Sequence, residues 1–316
     1  MSFHIVSIDS PQCSLSCKDG QLTCRIPGEE KPRTLPLEDV ASIIITSFSA
    51  SIHSSLFLEA AKHGVALIIC EDFKPTSLVL PANRSTDTLL SRALLKLDER
   101  MLQRLWQATV DAKCRNQYAL AEHLAPGDFS LKPLRETAWG RKPHKESVCA
   151  KIFWQIFGRS QDQPEFSRER GKPAVKEGTP AGGLNSLLNY GYAVLLSTIL
   201  QKLFGVGLDP TFGISHVPRE RSTPLAYDLM EPFRPCVDWR VVQWVRQHPD
   251  AEQWQVTPEF RKWVTGFPLE RVEYLDLTLD VRGCIEGVVR GFRKAVLTGN
   301  LKLYKPWTPR NSKWAG

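Results

Sequence analysis

The sequence of 316 residues predicts an α+β protein, with a small β-sheet domain carrying one helix at residues 1–82 and a larger all-α domain at residues 88–316. Three observations predict it. The first eighty or so residues alternate in polarity or run in β-branched blocks, as strands do. The composition changes at "LPANRSTD". Beyond that point apolar residues recur at spacings of three and four, the period of a helix with one buried face.

In the N-terminal part, "SLSCKDGQLTCRI" alternates on both sides of Asp19-Gly20, a dipeptide that supplies the positive φ angles of a tight hairpin. "VASIIITSF" and "GVALIIC" predict short buried strands. Between them, residues 51–63 predict a helix stopped by Gly64. From Thr88 to about Leu124 the pattern is helical, marked by Leu89, Leu90, Ala93, Leu94, Leu97, Met101, Leu102 and Leu105. A further helix opens at Pro143 and closes at Gly158, and another covers residues 184–204. Thr223-Pro224 and Thr257-Pro258 each pair a good N-cap with a good first helical residue. A last helix runs to about Leu297, ahead of Gly299. Residues 158–183, rich in Gly, Pro and charge, show no period and too little apolar surface to offset the entropy of ordering them. They are expected to be mobile without a partner. The tail "KLYKPWTPRNSKWAG" mixes basic and aromatic residues, which either stack on bases or pack on their own domain.

The excess of 41 basic over 34 acidic residues favours a polyanionic partner, or is a solubility surplus. The eight cysteines include no C-x-x-C pair, which argues against a zinc ribbon and for reduced thiols in the cytoplasm. "MSFHIVSIDS" lacks the basic start and apolar run of a signal peptide. The longest apolar stretches are too short to span a bilayer, so no membrane partner is expected. No G-x-x-x-x-G-K-[ST] loop is present, so no nucleotide cofactor is expected.

Three polar groups fall on apolar surfaces. Glu146 shares a helix face with Cys149, Ala150, Phe153 and Phe157. Asp228 and Glu231, three apart, sit among Leu225, Leu229, Met230 and Phe233. Pro232 removes a backbone bond to the carbonyl of Asp228 and is expected to bend the helix. His216 ends a loop punctuated by Gly207, Pro210 and Gly213. Separately, each has an ordinary explanation: a first-turn acid for Glu146, a structural histidine for His216, and a salt bridge to Arg234 or Arg219 for the acidic pair. Together, one glutamate, one histidine and D-x-x-E make an oxygen-dominated cation site suited to Mg²⁺, with the imidazole tilting it toward Mn²⁺. If Asp228 and Glu231 repel each other across an unfilled site, Glu231→Ala leaves stability unchanged or slightly raised. Arg219, Arg221, Arg234 and Arg240 near the acids, or Arg141, Lys142, Lys145, Arg159, Arg168, Arg170 and Lys172 around the Glu146 helix, would hold a phosphate backbone.

"LNSLLNYGYAVL", "GLDPTFGISH" and "LAYDLMEPFRPCVD", in that order, resemble the CRISPR-associated endonuclease/integrase family, the first Cas protein of spacer acquisition. "KESVCAKIFW" is similar to that family's upstream glutamate helix, and the N-terminal strands resemble its β domain. The resemblance implies Glu146, His216 and Glu231 as catalytic metal ligands, Asp228 as a supporting acid, and Asn185 and Tyr192 as recurrent residues of the preceding helix. It implies a homodimer joined largely through the β domains. Two such dimers would flank a dimer of the small second Cas protein and insert a short DNA duplex beside the leader of a CRISPR array. Two other readings use the same residues: a metal-dependent nuclease on branched DNA without integration, and a non-catalytic DNA-binding scaffold with its acids in salt bridges.

Overall fold

The computed structural model describes residues 4–71, 74–79, 88–141, 144–168, 183–216, 223–250, 254–310 and 314. Its N-terminal part holds strands β1 (His4–Ile8), β2 (Ser14–Lys18), β3 (Gln21–Arg25), β4 (Arg33–Pro36), β5 (Val40–Ile45), β6 (Ser51–Ile52), β7 (Ala66–Glu71) and β8 (Lys74–Val79). Helix α1 (Ser54–Lys62) lies between β6 and β7. The strands form two four-stranded sheets, ordered β1-β5-β7-β8 and β4-β3-β2-β6. Asp19 and Gly20, at φ 51° and 72°, make the β2–β3 hairpin turn as the dipeptide predicts. The helix expected from residue 51 starts three residues later, because Ser51 and Ile52 pair with β2 and His53 caps α1 through its side chain.

The isoleucine run of β5 is buried on both faces. Ile43 and Ile45 join Leu15, Leu56 and Leu67 in a core between the sheets. Ile44, with Ile68 and Cys70 of β7, faces the other way into the core of the helical part. Successive strand residues point to opposite faces, so one apolar run serves two cores. Polar links add to that junction: Ser42 with Ser197 at 2.9 Å, Ser7 with Tyr190, and Arg261 with Asp9.

The helical part comprises α2 (Thr88–Leu95), α3 (Glu99–Leu124), α4 (Leu131–Trp139), α5 (Lys145–Ser160), α6 (Gly183–Gly205), α7 (Pro224–Met230), α8 (Arg234–Gln247), α9 (Pro258–Val264) and α10 (Val281–Thr298). The stretch 88–124 is two helices rather than one, because Asp98 leaves helical geometry and caps α3, accepting from Met101 N at 2.7 Å. Gly158 does not end α5. A Cβ there would lie 2.5 Å from the Gln163 carbonyl oxygen and 2.9 Å from the Phe166 Cβ, so this glycine admits the chain that folds back onto the helix. Within residues 161–168, Phe166 packs against Trp154 and Phe157 and Gln161 is buried, while Asp162–Glu165 and Ser167 are exposed. Residues 169–182 lie outside the described residues. A hairpin of β9 (Arg271–Tyr274) and β10 (Leu277–Asp280) interrupts what the sequence predicts as all helix. Helix α10 ends at Gly299, at φ 68°, as expected.

The described part of the tail packs on its own domain. Trp307 is buried and stacks on Phe233 with centroids 5.7 Å apart, and Tyr304 shares a 2.8 Å hydrogen bond with Thr109 of α3. All eight cysteines are free thiols, as expected.

Candidate active site

Three segments meet around one ammonium group. Lys113 lies on the buried face of α3, its side chain 11% exposed, with Nζ 2.6 Å from Glu146 Oε1 and 2.5 Å from Glu231 Oε2. Glu146 occupies the first turn of α5, where the helix dipole favours an acid. Glu231 opens a 3₁₀ turn, Glu231–Phe233, between α7 and α8. Pro232 and Pro235 explain that turn, since neither donates the backbone bond a continuous α-helix needs, and the α-helix gives way to a 3₁₀ turn at Pro232. Asn116, one turn after Lys113, fixes the turn by donating to the carbonyl oxygens of Pro232 at 2.7 Å and Trp307 at 2.9 Å. The buried tail thus holds the turn that carries Glu231.

Glu231 is nearly buried, at 4% side-chain exposure, and its Oε1 accepts from Arg234 Nε at 2.8 Å. Burial alone would raise its carboxyl, but Arg234 and Lys113 overcome burial and hold it down at about 2. Oε2 is different. Lys113 is near enough to neutralise it yet approaches off the hydrogen-bonding direction, so this buried oxygen has no directed donor.

Asp228 does not share a cation with Glu231. Its side chain is fully buried and turned toward the 214–216 loop. Oδ2 accepts from the backbone N–H of Ile214 at 2.5 Å and Ser215 at 3.2 Å. Oδ1 accepts from the His216 backbone N–H at 3.2 Å and lies 2.6 Å from His216 Nδ1. Asp228 and Glu231 therefore do not face each other across one unfilled site; each carboxylate has its own partners. The Asp228 hydrogen bond raises the His216 imidazole above its ordinary value, against the opposing effect of burial. With Nδ1 held, the ring presents Nε2, and Trp106 of α3 packs edge-on to it at 5.8 Å. A carboxylate behind a histidine is the arrangement that orients imidazoles toward metals.

Behind Glu231 lies a buried network. At Gly191, where a Cβ would stand 2.5 Å from Val237 Cγ1, α6 and α8 approach closely enough to bring Tyr192 to Asp238. The Tyr192 hydroxyl donates to Asp238 Oδ1 at 2.5 Å, and burial raises this carboxyl to about 7. The Arg234 guanidinium lies 4.6 Å from the Tyr192 ring centroid. Arg168 spans Asn185 Oδ1 at 2.6 Å and Asn189 Oδ1 at 2.5 Å, and lies 5.3 Å from the same ring.

The structure therefore brings Glu146 and Glu231 together and places His216 on Asp228, with the His216 side chain 48% and the Glu146 side chain 35% exposed at the open side. Arg168 and Arg234 are committed to contacts within the chain. Lys145 pairs with Asp111 and Arg159 with Asp128, so among the described residues of the basic cluster around the Glu146 helix, Lys145, Arg159 and Arg168 all have partners within the chain, while Lys142 and Lys172 lie outside the described residues. Arg240 bonds Glu270 and stacks on Trp263. Arg170, Arg219 and Arg221 lie outside the described residues. In donor type the site suits a hard divalent ion: two carboxylates, an imidazole and one buried oxygen lacking a directed donor. Among the described residues, however, no three His, Cys, Asp or Glu side chains are grouped to hold an ion, because Lys113 stands between the acids. Sequence reasoning missed Lys113 and Asn116. Their signal is a lysine and an asparagine three apart on a helix face that also carries Thr109, Val110 and Leu120, all buried.

The family model described as CRISPR associated protein Cas1 matches residues 6–138 and 144–261. The chain is 31% identical over 298 residues to a CRISPR-associated endonuclease Cas1 of Neisseria meningitidis serogroup C, covering 92% of this chain and 91% of that protein. It is 29% identical to one from Korarchaeum cryptofilum, over 76% of this chain and 77% of that protein. Among solved structures, a casposase bound to an integration product superposes with a TM-score of 0.73 at 20% identity, over 97% of this chain and 94% of that one. A Cas1 protein from Thermotoga maritima gives 0.67 at 15% identity, over 93% and 97%. The Cas6-RT-Cas1–Cas2 complex gives 0.71 at 13% identity, over 98% of this chain and 36% of that one. These structural likenesses show the fold, and the sequence matches show the family. The chain belongs to the CRISPR-associated protein Cas1 family.

Proposed function

We propose that this protein is a metal-dependent DNA integrase with endonuclease activity that inserts short duplexes into a CRISPR array. The observation that carries the reading is the convergence of Glu146 and Glu231 on a single cation position beside the His216 loop. In the reaction, a DNA 3′-hydroxyl attacks a phosphodiester, one P–O bond forms, another breaks, and a second 3′-oxygen leaves with a proton. A Mg²⁺ or Mn²⁺ ion held by Glu146, His216 and Glu231 would lower the pKa of the attacking hydroxyl and offset charge at the phosphorus. Arg234 keeps Glu231 ionised and fixed in direction. Asp228 orients His216 so that Nε2 faces outward. Asn116 and the tail hold the turn against movement during the reaction.

Membership in the family, and Cas1 relatives seen with DNA and in a Cas1–Cas2 complex, support double-stranded DNA and the small second Cas protein as partners. The protein acts as a homodimer through its N-terminal sheets, two dimers flanking a dimer of that partner, in the cytoplasm. No helix among the described residues is long and apolar enough to cross a membrane.

The test is joining of a labelled duplex to a plasmid carrying the repeat, with Mg²⁺ or Mn²⁺, by wild type, Glu146→Gln and Glu231→Gln. Loss of joining and cutting in both variants, and in chelator, is expected. The scaffold reading gains support from the pairing of both acids with cations. It would be upheld if wild type bound DNA equally well in chelator and never joined or cut strands with metal.

A further inference from the structure

We infer that Lys113 is a tethered cation that takes the place of the divalent ion in the metal-free protein, so that metal enters only as the Lys113 ammonium withdraws. The inference rests on the metal-site reading above and names the residue that regulates it. The Lys113 ammonium touches the two oxygens, Glu146 Oε1 and Glu231 Oε2, that an ion would need. A divalent ion reaching both at about 2.0–2.6 Å overlaps the ammonium, so the two exclude each other.

The two cations on Glu231 are not equivalent. Arg234 holds Oε1 through a directed 2.8 Å hydrogen bond and is pinned over the Tyr192 ring. Lys113 meets Oε2 off the hydrogen-bonding direction. A planar, stacked guanidinium is a permanent partner, whereas an ammonium on a four-carbon stem is a point charge that can swing away. Charge points the same way. With both cations in place, the two glutamates are already neutralised, and an added ion would bring two uncompensated positive charges into a largely buried site. This explains why the three expected ligands are not grouped although their types suit a metal.

The experiment measures Mn²⁺ affinity by calorimetry on wild type, Lys113→Met and Glu231→Gln, without DNA. Lys113→Met should bind Mn²⁺ at least roughly tenfold tighter than wild type, since a unit charge within ~4 Å opposes the ion strongly even at an effective dielectric of about 20. Equal or weaker binding by Lys113→Met overturns the inference. The metal-site reading then still stands if Glu231→Gln abolishes the wild-type binding. No Mn²⁺ binding by either wild type or Lys113→Met overturns both. Because Lys113→Met leaves two acids facing each other and can cost the fold, a second measurement uses wild type alone. Acylation of Lys113, read by mass spectrometry, should rise several-fold when Mn²⁺ replaces chelator. Unchanged acylation in protein shown to bind Mn²⁺ overturns the inference.

Discussion

Asp228 separates a positioning acid from a ligand, and two substitutions make the distinction measurable. In Asp228→Ala, four interactions disappear: those from the N–H groups of Ile214, Ser215 and His216 and the one with the His216 ring. Ser215 and His216 are exposed and regain water, but Ile214 is buried. Stranding that one donor and losing charged hydrogen bonds around a wholly buried site costs about 3 kcal/mol. For a helical part of this size, that lowers the melting temperature by about 6–12 °C. Asp228→Asn behaves differently. Its oxygen still accepts from Ile214 and Ser215, while its amide now donates to His216 Nδ1. That moves the ring proton to Nε2, the nitrogen a metal needs free. The isostere gives up only the acceptor for the His216 N–H, which water can replace because His216 is exposed, so it should melt much closer to wild type than Asp228→Ala, yet bind Mn²⁺ about 10–100-fold more weakly. Thermal denaturation and Mn²⁺ calorimetry on both variants provide the comparison. Asp228→Ala melting with wild type, or Asp228→Asn binding Mn²⁺ at full strength, would refute the positioning role.

Three further outcomes follow from the same contacts. Glu231→Ala should destabilise the metal-free protein by about 3–5 kcal/mol, because it leaves Lys113 and Arg234 buried without a shared anion, the reverse of what two repelling acids would give; chemical denaturation decides. Trp307→Ala should cost about 3–5 kcal/mol by emptying the stack on Phe233, and should also slow strand joining by loosening the turn that carries Glu231; unchanged kinetics in folded variant would remove the tail from the site. Asp238 holds its proton up to about pH 7 in the folded chain against 3.8 in the unfolded one, so its contribution is full below about pH 4 and is lost as pH rises to 7. Asp238→Asn should remove that decline, at most about 1.4 kcal/mol per pH unit, seen by denaturation at several pH values between about 5 and 7.

Local pattern determined a good deal of this protein. The hairpin at Asp19-Gly20, the isoleucine strand, the Thr-Pro helix starts at 223 and 257 and the stop at Gly299 all depend on neighbours within a few residues, and each appears where the sequence places it. The acids and histidine among apolar residues were equally visible, because a buried charge departs from its own surroundings whatever lies opposite. What lies opposite was decided by tertiary structure. Asp228 and Glu231, three residues apart, serve different partners because the 3₁₀ turn at Pro232 rotates Glu231 toward α3 and leaves Asp228 facing the loop. Lys113 reaches both glutamates across gaps of 33 and 118 residues, which no period or spacing encodes. Arg168, Arg234 and Lys145 look like a cationic surface in one dimension, yet each finds an internal acceptor once the helices pack. Gly158 looked like a stop and is a close approach, since only the returning chain makes its missing Cβ matter. Sequence carries the local preference for burial or exposure; the identity of the partner that satisfies a buried charge is a property of the packed chain.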